Sequence, residues 1–105
     1  MTENDNYVKI EPGVLTQMRF DKFIWEKRTV PDPSLGFSKN VMTLNFHVVE
    51  LNGSPVSTVY SITASTLQAA FRPYLDRDKY LAYRFSITRD GAGYSPPRIA
   101  AATPV

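Results

Sequence analysis

Cysteine is absent from the 105 residues, so no disulfide framework, thiol nucleophile or thiolate metal site is available. That absence fits a reducing compartment, and the expected location is the cytoplasm, or the host cytoplasm for a virus-encoded chain. Histidine occurs once, as His47, which removes most histidine-based metal sites and triads. No serine stands in a G-x-S-x-G context and no P-loop occurs. Asp90-Gly91-Ala92-Gly93 is a flexible turn and lacks the strand-to-helix setting of a G-x-G-x-x-G phosphate cradle. The carboxylates are scattered, with no paired acid and base. The chain is therefore expected to be no enzyme, with neither metal nor cofactor. No apolar run approaches the roughly 20 residues that a membrane helix needs. The polar, acidic opening MTENDNYVKIEPG has no basic region leading into an apolar one, so it is read as no secretory signal. No membrane partner is expected.

What is present is ordinary for a globular chain: 43% hydrophobic and 21% charged residues, enough for one domain with one core. The net charge is +2, and its distribution is more informative than its size. Glu3, Asp5 and Glu11 stand against Lys9 in residues 1–11, which leaves 11 basic and 7 acidic residues in 12–105. A flexible acidic segment (1–11) followed by a single basic domain (12–105) permits a polyanion partner, although a normal solvated surface carries the same charges.

The best-defined stretch is Val41 to Thr63, VMTLNFHVVELNGSPVSTVYSIT. Met42, Leu44, Phe46 and Val48 alternate with Thr43, Asn45, His47 and Val49, the period of a half-buried strand. Asn52-Gly53 accepts the positive φ of a tight hairpin. Val56 to Ile62, rich in β-branched and aromatic residues, returns. Before this hairpin, Pro12-Gly13 marks a turn, and Val14 to Arg28 reads as a long strand. Its apolar parity slips between Phe20 and Phe23, so a β-bulge is expected there, bending the strand as a small barrel requires. Thr29 to Asn40 reads as a loop, long enough to be functional. After the hairpin, Leu67, Ala70, Phe71 and Tyr74 take helical spacing. Thr63 or Ser65 is the expected cap, and Pro73 is expected to end the regular bonding near Phe71 or Arg72. Asp76 to Lys79 is a charged turn, Tyr80 to Arg89 a strand, and Arg98 to Thr103 a last strand.

This order predicts an all-β fold with one short helix: a five-stranded OB-fold Greek-key barrel with the helix between the third and fourth strands. Residues 36–95 carry a Pro/Gly loop ending in Lys39, a V-x-L-x-F-x-V strand and an Asn-Gly hairpin. They continue with Ser61-Ile62-Thr63-Ala64 leading into the helix and Arg84-Phe85-Ser86-Ile87-Thr88-Arg89-Asp90-Gly91-Ala92-Gly93 leading out of it. In these features the chain resembles small OB-fold single-stranded DNA-binding proteins of phages and other mobile elements. It departs from them in the proline-rich exit Tyr94-Ser95-Pro96-Pro97 and in having no long acidic C-terminal stretch, so recruitment of proteins through such a tail is not implied.

The resemblance implies binding of single-stranded DNA with little sequence preference, in replication or recombination, with RNA as the other candidate ligand. Such binding needs cations along the phosphates and flat rings under the bases. In an OB barrel the second and third strands carry the ligand, flanked by the loops joining the first two and the last two strands. The candidate residues are then Trp25, Lys27 and Arg28 at the end of the first strand, and Phe37 and Lys39 in the first loop. His47 stands on the hairpin, Arg84 on the fourth strand, and Arg89, Tyr94 and Arg98 around the last loop. Each has a plainer account: a lone Trp is commonly half-buried, Phe37 can plug a barrel end, and Arg89 and Arg98 can pair with Asp90. The competing function is a non-catalytic protein-interaction module, such as a viral accessory or inhibitor protein binding a host protein, since a fold alone does not decide function. Self-association into a homo-oligomer through sheet edges fits both readings.

Overall fold

The computed structural model describes residues 7–32, 34, 36–91 and 96–105. Five strands form one antiparallel sheet: β1 (Thr16–Asp32), β2 (Phe37–Leu51), β3 (Ser54–Ile62), β4 (Tyr83–Thr88) and β5 (Arg98–Pro104). Helix α1 (Ser65–Leu75) and a 3₁₀ helix (Asp76–Ala82) lie between β3 and β4. The strand order is β3-β2-β1-β4-β5. The sheet is open: β3 and β5 are its edges, and among the described residues no ladder joins them.

The expected hairpin forms as read. Asn52 (φ 50°) and Gly53 (φ 86°) both take positive φ, the conformation of a type I′ turn. Asn52 also ties the turn to β1: its N–H donates to the Gln17 carbonyl (2.8 Å) and its Oδ1 accepts from the Gln17 N–H (2.9 Å). The expected bulge is present too. The β1–β2 register shifts on either side of Phe20, leaving Val49 on β2 and Asp21 on β1 without a partner in this ladder. Thr16 to Met18 of β1 pair with β4, and pairing with β2 runs from Met18 onward, so Met18 alone stands in both ladders.

The first correction concerns Thr29 to Asn40, expected as a loop. Thr29 faces Asn40, Pro31 faces Ser38 and Asp32 faces Phe37 in a continuing ladder, so only residues 33–36 connect the strands. Pro31 is tolerated because the other edge of β1 is open there and no N–H is needed. The ladder between β2 and β3 starts only at Leu44↔Ile62, so the ribbon of residues 27–32 and 37–42 overhangs the body. This is consistent with one principal extent of 46 Å against 32 and 30 Å.

The inner face of the sheet carries the core. Phe20 stacks on Phe46 with centroids 4.1 Å apart, and Phe71 of α1 meets Phe46 at 4.9 Å and Phe85 at 5.0 Å. Tyr80 adds an edge contact to Phe23 at 5.4 Å. Burying each such ring contributes roughly 1.5–3 kcal/mol. Met42, expected inside, is 45% exposed because it stands on the overhang, whereas Thr43, expected outside, is fully buried.

Helix α1 runs through Pro73 to Leu75, past the expected end. Pro73 removes the bond to the Ala69 carbonyl and its ring crowds that oxygen, and the helix ends two residues later. Neither Thr63 nor Ser65 caps it: Ala64 is the N-cap and no side chain bonds the first turn. The helix is fixed by Gln68, whose Nε2 donates to the carbonyls of Met42 and Ile62, each at 2.8 Å. The strand expected from Tyr80 starts at Tyr83, since residues 76–82 are taken up by the 3₁₀ turn, with Arg77 and Asp78 at φ 56° and 55°.

The segment from Tyr7 to Gly13 joins the two halves. Tyr7 makes a parallel bridge to Val59, and the Val8 N–H donates to the Val59 carbonyl (2.8 Å). At its other end Arg89 Nε donates to the Ile10 carbonyl (2.7 Å) and the Gly13 N–H to the Arg89 carbonyl (3.0 Å). Residues 1–6, expected to fray, lie outside the described residues.

Candidate nucleic-acid interface

Alternation along the overhanging ribbon divides its side chains between two faces. Lys39 and Val41 share one face, and Phe37, at the same parity, is placed with them; it is 65% exposed. Lys27 pairs with Met42 and belongs to the opposite face, as does Trp25. Lys39 and Val41 line an open groove of about 780 Å³. Its other walls are Lys9 and Ile10 from the N-terminal segment, Ser61 to Ala64 at the end of β3, Arg89 after β4, and Pro96-Pro97 before β5. Three cations, Lys9, Lys39 and Arg89, therefore border one concavity whose floor is apolar, with Ile62 and Leu67. Tyr60 also lines it; only 4% of that residue is exposed and its hydroxyl has no hydrogen-bond partner among the described residues. Burial pushes the Tyr60 phenol well above its ordinary range.

The structure brings Lys39 and Arg89 together at this groove, with Phe37 on the adjoining ribbon face. The other candidates are placed elsewhere. Trp25 is half-buried against the core, and the Arg72 guanidinium lies 5.0 Å from its ring centre, so one face is already occupied. Lys27 is exposed on the opposite ribbon face. Arg28 Nε donates to Glu26 Oε1 (2.7 Å); that bond, with the Glu26 charge and the Tyr7 phenol, holds the guanidinium above its usual pKa against the effect of burial. Arg84 is taken by Glu50, with Nη2 at 2.8 Å and Nε at 2.9 Å from Oε1, and Arg19 reaches the same carboxylate at 4.0 Å. Arg98 pairs with Asp90 at 3.2 Å. Tyr94 lies outside the described residues.

His47 has a more specific setting than a surface residue. Its Nδ1 lies 2.6 Å from Asp21 Oδ1 and its Nε2 lies 3.0 Å from Ser57 Oγ. A carboxylate only accepts, so Nδ1 carries the hydrogen, and the neutral ring accepts at Nε2 from the Ser57 hydroxyl. The three residues come from β1, β2 and β3. The bulge makes the arrangement possible, because Asp21 is freed from the ladder beside Lys22, which pairs with His47. The atoms match a nucleophile, base and orienting acid. Acyl transfer also needs a pocket for the reacting carbonyl with donors for its oxyanion; Ser57 is exposed and none of the three lines the groove.

Sequence reasoning missed Lys9, Tyr60 and Asp21, whereas Ser57 belongs to the outward parity of the hairpin together with His47. The available signals were the alternation of Val8 and Ile10 with Lys9 in a segment read as flexible, and the parity slip that singles out Asp21. Among the described residues no cluster of three or more His, Asp or Glu side chains is placed to hold a metal. Among the same described residues no helix is long and apolar enough to cross a membrane.

No protein-family model matches the chain. No curated protein and no solved structure matches it either.

Proposed function

We propose that this chain is an OB-fold protein that binds single-stranded DNA with little sequence preference and performs no catalysis, serving replication or recombination in the cytoplasm. The observation that carries the reading is the groove in which Lys9, Lys39 and Arg89 converge beside the exposed Phe37. Its position supports the reading as well. It lies over the end of β3, between the stem of the β1–β2 connection and the stem of the β4–β5 connection, where an OB-fold takes oligonucleotides. The strand order β3-β2-β1-β4-β5, with the helix between β3 and β4, is that of an OB barrel opened between its third and fifth strands. Phosphates engage the cations, Phe37 offers a ring for base stacking, and the polar Asn45–Ser61 pair (2.6 Å) extends the surface along the sheet.

The test is fluorescence anisotropy with a labelled oligothymidine of about 20–30 nucleotides, sized to exceed the site of one OB domain, against a matched duplex. Preference for the single strand is expected. The log–log salt slope should be about −2 if three phosphates are neutralised, at roughly −0.7 each. Lys39→Ala should flatten the slope by about 0.7, and Phe37→Ala should cost about 1–3 kcal/mol. An oligouridine arm compares RNA. Absence of binding at low salt refutes the reading. One observation favours the alternative, a protein-interaction module: β5 is a sheet edge without a partner strand among the described residues, with Ala100 and Ala101 exposed on it, and such edges accept a strand from another chain.

A further inference from the structure

We propose that Asp21, His47 and Ser57 form a proton-dependent contact for a phosphodiester oxygen of the bound strand; this rests on the single-strand-binding reading above. The basis is the donor arithmetic of the relay. With His47 neutral, Nδ1–H donates to Asp21 (2.6 Å) and the Ser57 hydroxyl spends its hydrogen on Nε2 (3.0 Å). In that state the Asp21 charge offsets that of the neighbouring Lys22, and the relay turns only acceptor lone pairs outward, which gives a phosphate no donor. When Nε2 is protonated it becomes the donor and Ser57 Oγ the acceptor. The Ser57 hydrogen is then released to point away from the ring, and the Asp21–His47 pair is neutral. One proton thus raises the local charge by one and supplies a new O–H donor at the same place.

The surroundings let this change be felt by a ligand. Lys22 of β1 stands opposite His47 in the ladder and is exposed, so the protonated site becomes net cationic. On β2 the nearest carboxylate is Glu50, already bound by Arg84 and Arg19. From the 3₁₀ helix, Tyr80 and Asp78 act on the Asp21 side. The Tyr80 phenol is raised by burial first and then by the charges of Asp78 and Asp21, so it stays neutral. From β3, Ser57 and the apolar Val59 face the ring's strand, and the N-terminal segment contributes Tyr7 at Val59. Ser57 shares strand parity with Ser61, which lines the groove. The two are four residues apart, about 13 Å at strand rise, so one bound oligonucleotide spans both.

This chain has one histidine, so His47→Gln isolates its part in any pH dependence of binding. Oligothymidine affinity is measured at constant ionic strength from pH 5.5 to 8. The expected result is tighter binding at the acid end by about fivefold, the effect of one charge near 4 Å in a water-like medium. His47→Gln should remove the dependence. Ser57→Ala should reduce it, and Lys39→Ala should lower affinity at every pH without changing it. In parallel, ¹⁵N NMR of the imidazole reads the relay without DNA, with the neutral ring expected to carry its proton on Nδ1. Binding whose pH profile is unchanged in His47→Gln, or a neutral ring protonated on Nε2, overturns the inference while leaving the groove reading intact. No single-strand binding at any pH refutes both.

Discussion

Gln68 is the polar pin between the helix and the sheet, and replacing it by methionine tests that role. Methionine has the same unbranched length and a similar helix propensity, so packing and backbone preferences change little. What is lost is the Nε2 donor that serves the carbonyls of Met42 and Ile62, both at 2.8 Å, from a side chain 92% removed from solvent. Two such bonds contribute roughly 1 kcal/mol each, and a buried carbonyl left without its partner adds to that, so the expected loss is about 2–3 kcal/mol. For a domain of this size that lowers the melting temperature by about 10 °C or more. Urea unfolding followed by circular dichroism gives the free energy directly. A companion variant, Gln68→Glu, puts a carboxyl against the same two carbonyls. Its charged form is disfavoured there, so its folded pKa is raised above the unfolded value of about 4.3. Its stability should be fullest below that value and should fall as pH rises through the folded pKa. A Gln68→Met protein within about 0.5 kcal/mol of the parent would refute the pin, since changes of that size are ordinary surface effects.

Among the described residues, two buried hydroxyls, Thr43 Oγ1 and Tyr60 Oη, have no hydrogen-bond partner. Thr43→Val should raise stability by about 1 kcal/mol in the same urea assay, by removing an uncompensated hydroxyl from a site of the right shape. Tyr60→Phe should stabilise by a similar amount. It should also change the alkaline limb: with the folded phenol raised by burial, wild-type stability is complete below pH ~10 and declines above it as the unfolded chain ionises, and the variant should lose about 1.4 kcal/mol per pH unit less. Arg72→Ala should uncover the single tryptophan, Trp25, giving a red-shifted emission and a loss of about 0.5–1 kcal/mol.

The element order was legible from hydrophobic period and turn chemistry. The Asn-Gly hairpin, the bulge near Asp21 and the five strands with one helix between the third and fourth all left marks that local rules read. Thr29 to Asn40 was misread because two prolines and a glycine look like loop punctuation, and only the open edge of β1 beyond its bulge makes Pro31 acceptable in a ladder. Met42 and Thr43 exchanged places for a related reason: alternation assigns faces, but burial depends on which part of a strand overhangs the body. At the candidate site, Phe37, Lys39 and Arg89 were nameable from composition and position. Arg84, Arg28 and Arg98 were indistinguishable from them until Glu50, Glu26 and Asp90 were located, since the partners are not local in every case. The Asp21–His47–Ser57 relay was invisible because three strands supply one residue each, and register across two ladders cannot be read from one strand's pattern.

The segment from Tyr7 to Gly13 has a kinetic consequence. It joins β3 to the end of β4, and its bond from Arg89 to Ile10 spans 79 positions of sequence. Contacts that far apart carry the largest loop-closure cost and slow folding. On a ribosome adding roughly 5–20 residues per second, Ile10 exists for several seconds before Arg89 does. The β1–β2 ribbon and the β2–β3 hairpin can form during that interval, but one wall of the groove, with Lys9 on it, cannot. Among the described residues, the ones synthesised first are among the last to be locked, so the cationic groove is completed only after the sheet that supports it.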